Sequence, residues 1–142
     1  DMARSELFEL AIDQLVRFAH WITPLHRPRR FDTHFFIAPA LDFKTNPIVD
    51  GYEIVDAQWF RPSDILNDVY GGKLKLVLPT MMNVLKLSKF RGVNQVLKTT
   101  SKKDIFCVVP RPLDTDEGPQ FYIPEEAGYG VTTVSSEFLR SS

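Results

Sequence analysis

One stretch constrains the fold more than any other: Trp21 to Ala40, which reads WITPLHRPRRFDTHFFIAPA. Phe18–Thr23 and Phe31–Ala38 are both rich in aromatic and β-branched residues, the composition of strands. Pro24 ends the first run, because proline has no N–H to give to a ladder. The break between them, Leu25 to Arg30, carries Arg27, Arg29 and Arg30. The spacing predicts two strands joined by a cationic connection, an edge suited to an anionic ligand.

The flanking segments read as support for that pair. From Arg4 to Leu15 the apolar residues Leu7, Phe8, Ala11, Ile12 and Leu15 fall on one helical face, with Ser5 as a candidate cap. Leu41 to Gly51 holds Asn46-Pro47 and Asp50-Gly51, the dipeptides of a loop. Ile54 to Phe60 alternates as a strand, with Val55, Ala57 and Trp59 on its inner face. Trp59 and Phe60 are expected to fill the core.

Arg61-Pro62-Ser63-Asp64 then opens a short helix over Ile65–Tyr70, which Gly71-Gly72 stops. After a brief extended piece, Lys73 to Leu78, Pro79-Thr80 starts a longer helix. It carries Met81, Val84, Leu85 and Leu87 inward and Lys86 and Lys89 outward. Val93 to Leu97 adds a helical turn or two. Ile105–Val109 and Gln120–Ile123 are short strand candidates joined by a polar connection from Pro110 to Pro119, and Glu125 to Gly130 and the serine-rich end read as irregular.

No repeat or linker divides these elements, so residues 1–142 read as one domain, large enough to bury a sizeable core. Lys and Arg number 17 against 18 Asp and Glu, a net charge of -1, which argues against general nucleic-acid binding. The apolar runs are too short to cross a bilayer, and no signal-peptide pattern opens the chain. Cys107 is the sole cysteine and sits in an apolar run, where it reads as a small buried hydrophobe. With no internal disulfide available, the expected setting is cytoplasmic, a reducing intracellular compartment.

Nucleophilic catalysis finds no support, since there is no GxSxG elbow and Cys107 lies in a core-like strand. His20, His26 and His34 lack a helical metal-ligand spacing and have no second cysteine beside them, which argues against zinc and leaves no metal ligand assigned. Asp114 to Gly118 begins like a calcium loop, but its glycine comes one residue early and Pro119 occupies the sharp turn.

Several pieces, in order, carry a resemblance. Trp21-Ile22-Thr23-Pro24 is followed by Arg30 to Ala38, by Asp56-Ala57-Gln58-Trp59-Phe60-Arg61-Pro62-Ser63-Asp64-Ile65-Leu66, and by Leu78-Pro79-Thr80-Met81-Met82-Asn83-Val84-Leu85. Together they resemble the part of a Nudix hydrolase that follows its signature box, in the branch of coenzyme-A diphosphatases. The likeness covers roughly Phe18 to Leu87, with a looser match over Val108 to Tyr129. It implies an α/β (α+β) fold, an α/β/α sandwich around a mixed sheet, incomplete on its N-terminal side. It also implies Mg²⁺- or Mn²⁺-dependent hydrolysis of substrates linked through a nucleoside diphosphate, coenzyme-A-like or nucleotide sugar.

The box itself is missing from the chain. Glu125-Glu126-Ala127-Gly128-Tyr129 matches only the tail of that signature, with Phe121 and Tyr122 where its Arg-Glu belongs. The resemblance would place the box before Asp1, so the expectation is a C-terminal portion, inactive alone and binding no metal by itself. Its rival is a non-catalytic binding domain on the same scaffold, and exposed sheet edges would favour a homo-oligomer.

The substrate-binding candidates are Arg27, Arg29 and Arg30, whose planar guanidinium groups suit phosphates. Asp32 and His34 join them, because alternate strand residues share a face with Arg30. Glu53 stands where the family often supplies a further carboxylate, as metal ligand or base, and is the catalytic candidate. The expected partner is a nucleoside-diphosphate-linked small molecule, with no nucleic acid and no membrane.

Overall fold

The computed structural model describes residues 12–25, 27–40 and 48–139. The expected helix over Arg4–Leu15 falls mostly outside them, and its described part, Ile12–Gln14, is a 3₁₀ turn. Strand β1 (Val16–Ile22) and strand β2 (Asp32–Ile37) follow the aromatic runs and pair antiparallel. Beyond their ends Thr23 and Phe31 continue the pairing. The Thr23 N–H donates to the Phe31 carbonyl at 3.0 Å, and the Phe31 N–H donates to Thr23 Oγ1 at 3.1 Å.

Three helices follow. Helix α1 (Pro62–Tyr70) and helix α2 (Leu78–Ser88) each carry proline in the first turn, where the missing N–H is not needed. Helix α3 (Val93–Thr100) extends three residues past its expected end. Strand β3 (Cys107–Val108) then returns to pair parallel with β1, giving a mixed sheet of order β2-β1-β3. Strands β4 (Arg111–Thr115), β5 (Gly118–Tyr122) and β6 (Thr133–Ser135) make a second, antiparallel sheet. This is an α+β fold with a mixed sheet and helices packed against it.

The two faces of the mixed sheet differ. Phe18, Ala19 and Trp21 of β1 and Val108 of β3 are buried in one cluster with Val69, Met81, Met82 and Val96 of the helices. On β2 the burial alternates, with Phe35 and Ile37 packed on that core and Asp32, His34 and Phe36 exposed. Burying a side chain such as Phe18 stabilises the fold by roughly 1.5–3 kcal/mol. Among the described residues, the helices serve one face of the sheet only.

Three expected features are corrected. Ile54–Phe60 forms no strand, and Ile54, Val55, Trp59 and Phe60 are each more than half exposed. Asp50 Oδ1 accepts from the N–H groups of Tyr52, Glu53 and Ile54, which draws the start of the segment into a loop. Its alternation has no neighbouring ladder among the described residues to satisfy it. The connection over Pro110–Pro119 is largely strand β4, whose five residues are all exposed and so leave no inward stripe to read. The serine-rich end likewise holds β6 and a 3₁₀ turn, Ser136–Phe138.

A buried polar chain ties the layers together. Trp21 Nε1–H donates to the Tyr129 hydroxyl at 2.8 Å, and that hydroxyl donates to Asn83 Oδ1 at 3.1 Å. Tyr129 stands between Gly128 and Gly130, both at φ 73°, a left-handed conformation that side chains other than glycine adopt at a cost. This double turn lets the chain drop one aromatic residue into the core straight after the 3₁₀ turn Glu125–Ala127. Burial pushes the Tyr129 hydroxyl up to about 12 from an ordinary 10.0, while the bond from Trp21 works the other way.

Candidate functional site

The open face of the mixed sheet gathers polar side chains through an irregularity in β1. Its register slips between Arg17 and Ala19, so that Arg17 opposes Phe36 and Ala19 opposes Phe35. Phe18 is the extra residue of a β-bulge. Phe18 and Ala19 are therefore both buried, and Arg17 and His20 share the exposed side with Asp32 and His34.

There the groups form one network. His20 Nε2 lies 2.6 Å from Asp32 Oδ1, and the His20 and His34 rings stack with centroids 4.0 Å apart. Arg17 Nη2 lies 3.2 Å from His34 Nδ1. Because guanidinium only donates, His34 Nδ1 accepts and its ring proton sits on Nε2, which is 3.8 Å from Asp32 Oδ1. The side chain of His20 is mostly buried, 15% exposed, whereas that of Asp32 is 62% exposed. The couple thus gathers one carboxylate, two imidazoles and a guanidinium on the open face of the sheet.

The remaining candidates do not all converge here. Arg30 lies outside β2, and its Nε donates to the Thr23 carbonyl at 3.0 Å, at the mouth of the hairpin. Arg27 and Arg29 are exposed in the connection, and His26 lies outside the described residues. Glu53 is exposed in the Asp50 loop, and no described hydrogen bond or ion pair ties its side chain to the network. Asp32 and His34 thus share one face, without Arg30, and are joined there by two residues that the sequence did not assign to the site, Arg17 and His20. The signal was present in Arg17-Phe18-Ala19-His20, where two polar residues flank two apolar ones and break strict alternation.

Cys107 pairs with His20 across the parallel ladder, and its Sγ lies 3.9 Å from His20 Nε2. It is half-buried rather than fully buried. Burial, with the Asp32 charge adding to it and Arg17 opposing, raises its thiol above the usual cysteine range. A thiol held in that state is a poor nucleophile.

The ligand atoms of His20, Asp32 and His34 lie within 4.8 Å of one another. Mg²⁺ takes near-octahedral oxygen ligands, usually carboxylates and waters, and this cluster supplies one carboxylate beside two imidazoles. Arg17 also places a permanent positive charge against His34, where a metal-bound imidazole would instead donate its second N–H to an acceptor. The cluster therefore does not fit the cation that the family resemblance implies.

Comparison with known proteins bears on the family. The chain is similar to nudix hydrolase 7 of Caenorhabditis elegans, 28% identical over 111 residues that make up 75% of this chain and 35% of that protein. It is also similar to the acyl-coenzyme A diphosphatase NUDT19 of Xenopus laevis, 30% identical over 88 residues, 59% of this chain and 23% of that protein. The chain thus spans about a third or less of the length of these curated relatives. No protein-family model and no solved structure matches it. Together the two relatives support a relationship to the Nudix superfamily at modest identity.

Proposed function

We propose that this chain, as a single domain, is the substrate-side portion of a Nudix-type pyrophosphohydrolase acting on coenzyme-A-like diphosphates. The observation that carries the reading is the similarity to an acyl-coenzyme A diphosphatase over 88 residues, 59% of this chain. Arg17, His20 and His34 share the open face of the strand pair, and the connection bearing Arg27, Arg29 and Arg30 leads out from its hairpin mouth. These groups bind and orient an anionic diphosphate through charge-assisted hydrogen bonds. Hydrolysis of a pyrophosphate needs its charge neutralised and an attacking water activated, which a divalent metal supplies when bound. The described residues offer no carboxylate cluster for that metal, so this chain alone binds without turning over. The setting we assign is a reducing compartment of the cytoplasm, and the exposed apolar residues of 48–60 support self-association.

The test separates binding from chemistry. Calorimetric titration with coenzyme A should give saturable binding that Arg17→Ala and His34→Ala weaken. With Mg²⁺ or Mn²⁺ present, coenzyme A and nucleotide sugars should break down no faster than in buffer. Turnover at an enzymatic rate that a chelator abolishes would refute the inactivity. The second reading, a non-catalytic binding domain, is favoured by the missing box and gains if a longer chain containing this one also fails to turn over.

A further inference from the structure

A cleft on the core side of the sheet collects cations without carboxylate partners. It lies between the end of α2, the turn after α3, strand β1 and the Gly128–Tyr129 turn, and it encloses about 140 Å³. That is room for a small oxyanion with a water or two, since a water takes about 30 Å³ in the liquid. Lys86, Lys89 and Lys103 line it, with Thr99 and Thr100 between them.

Lys86 was expected to point into solvent, yet it is half-buried. Its Nζ lies 4.9 Å from the centre of the Phe18 ring and 5.2 Å from that of Tyr129, and it donates to the Phe18 carbonyl at 3.4 Å. Lys89 is already used, donating to the Tyr129 carbonyl. Asp104 and Glu126 also line the cleft, but both are exposed and neither forms an ion pair with these lysines. Burial lowers Lys86 below the ordinary lysine range, and the neighbouring charge of Lys103 lowers it further. Removing an ammonium from water is unfavourable unless an opposite charge meets it, and none of the described residues supplies one.

We propose that this cleft is a second anion site, in which a phosphate-class oxyanion sits between Lys86 and Lys103. Lys86 contributes a partly desolvated ammonium that keeps donor capacity beyond its long bond to the Phe18 carbonyl, and Lys103 closes the mouth. The aromatic floor excludes water and strengthens both contacts. The proposal is independent of the diphosphate reading of the open face, because it uses the other side of β1 and none of the same groups.

Inorganic phosphate is the probe, followed by amide and lysine side-chain NMR shifts at constant ionic strength. The expected result is saturable shifts at Lys86, Lys103 and Tyr129, with affinity reduced about tenfold by Lys86→Met and by Lys103→Gln. Met keeps the apolar stem against the rings, and Lys103 is exposed, so unchanged amide dispersion confirms that both variants fold. Arg30→Ala should leave the phosphate affinity as it was. Absence of saturation at millimolar phosphate overturns the proposal, as does wild-type affinity in both lysine variants. Loss on Arg30→Ala alone would place phosphate at the hairpin mouth and also overturn it.

Discussion

The two faces of β1 are built from alternating neighbours and obey opposite rules. Trp21 is 2% exposed and hands its N–H to Tyr129, while His20, one residue earlier, turns toward Asp32 on the open side. On the inner face the Trp21 N–H has one fixed partner, and failure to meet it costs the full desolvation penalty. On the outer face water can replace any partner, so the same number of contacts adds little stability and leaves the groups free to engage a ligand. Stability and recognition are thus separated across the thickness of one strand.

Truncation should break that contrast most visibly. Trp21→Ala removes a buried aromatic ring and its hydrogen bond and should destabilise the fold by about 3–5 kcal/mol, read by chemical denaturation. Asp32→Ala on the opposite face should cost less than about 1 kcal/mol in the same measurement. Equal losses would mean that the open network is structural.

A subtler change sharpens the comparison. Tyr129→Phe keeps the ring but strands the Trp21 N–H and Asn83, for an expected loss of about 1–3 kcal/mol. It should also alter the alkaline limb of the stability curve. In the wild type the unfolded chain releases the tyrosine proton near pH 10, whereas the folded hydroxyl is pushed up to about 12. The unfolded state therefore binds fewer protons in that window. Stability is full below pH 10 and falls by roughly 3 kcal/mol as pH rises through 12. The phenylalanine variant should lack that step, and its persistence would assign the step to another group.

The smallest expected effect lies in the hairpin connection. Replacing both Arg29 and Arg30 with alanine should leave stability within about 0.5 kcal/mol while weakening nucleotide-diphosphate binding by calorimetry. An unchanged titration would leave the connection a solvated loop.

Much of this was legible where periodicity and burial agree. The strand pair, the turn signals and the two proline-opened helices all follow from local rules that the tertiary structure respects. Ile54–Phe60 differs from its pattern because alternation reports only a capacity to pair, and among the described residues no strand lies beside it. Strand β4 was missed for the converse reason: it is paired but exposed throughout, so its residues carry no pattern. For the site, the alternation rule brought Asp32 and His34 to one face. Arg17 and His20 needed the bulge, which reverses the facing rule at one residue. Lys86 escaped because its neighbours in space come from strand β1 and from Tyr129, 43 positions further along, and helical spacing says nothing of either.

The parallel pairing of β1 with β3 has a kinetic side. His20 meets Cys107 across 87 positions of chain, so one flank of the central strand stays open until the whole helical middle has emerged and folded back. At synthesis rates of roughly 5–20 residues per second, that interval is several seconds, with an aromatic-rich hairpin presenting unpaired N–H and C=O groups. The cationic connection, with Arg27, Arg29 and Arg30 close together, would then act as a gatekeeper, since like charges keep nascent hairpins from stacking edge to edge.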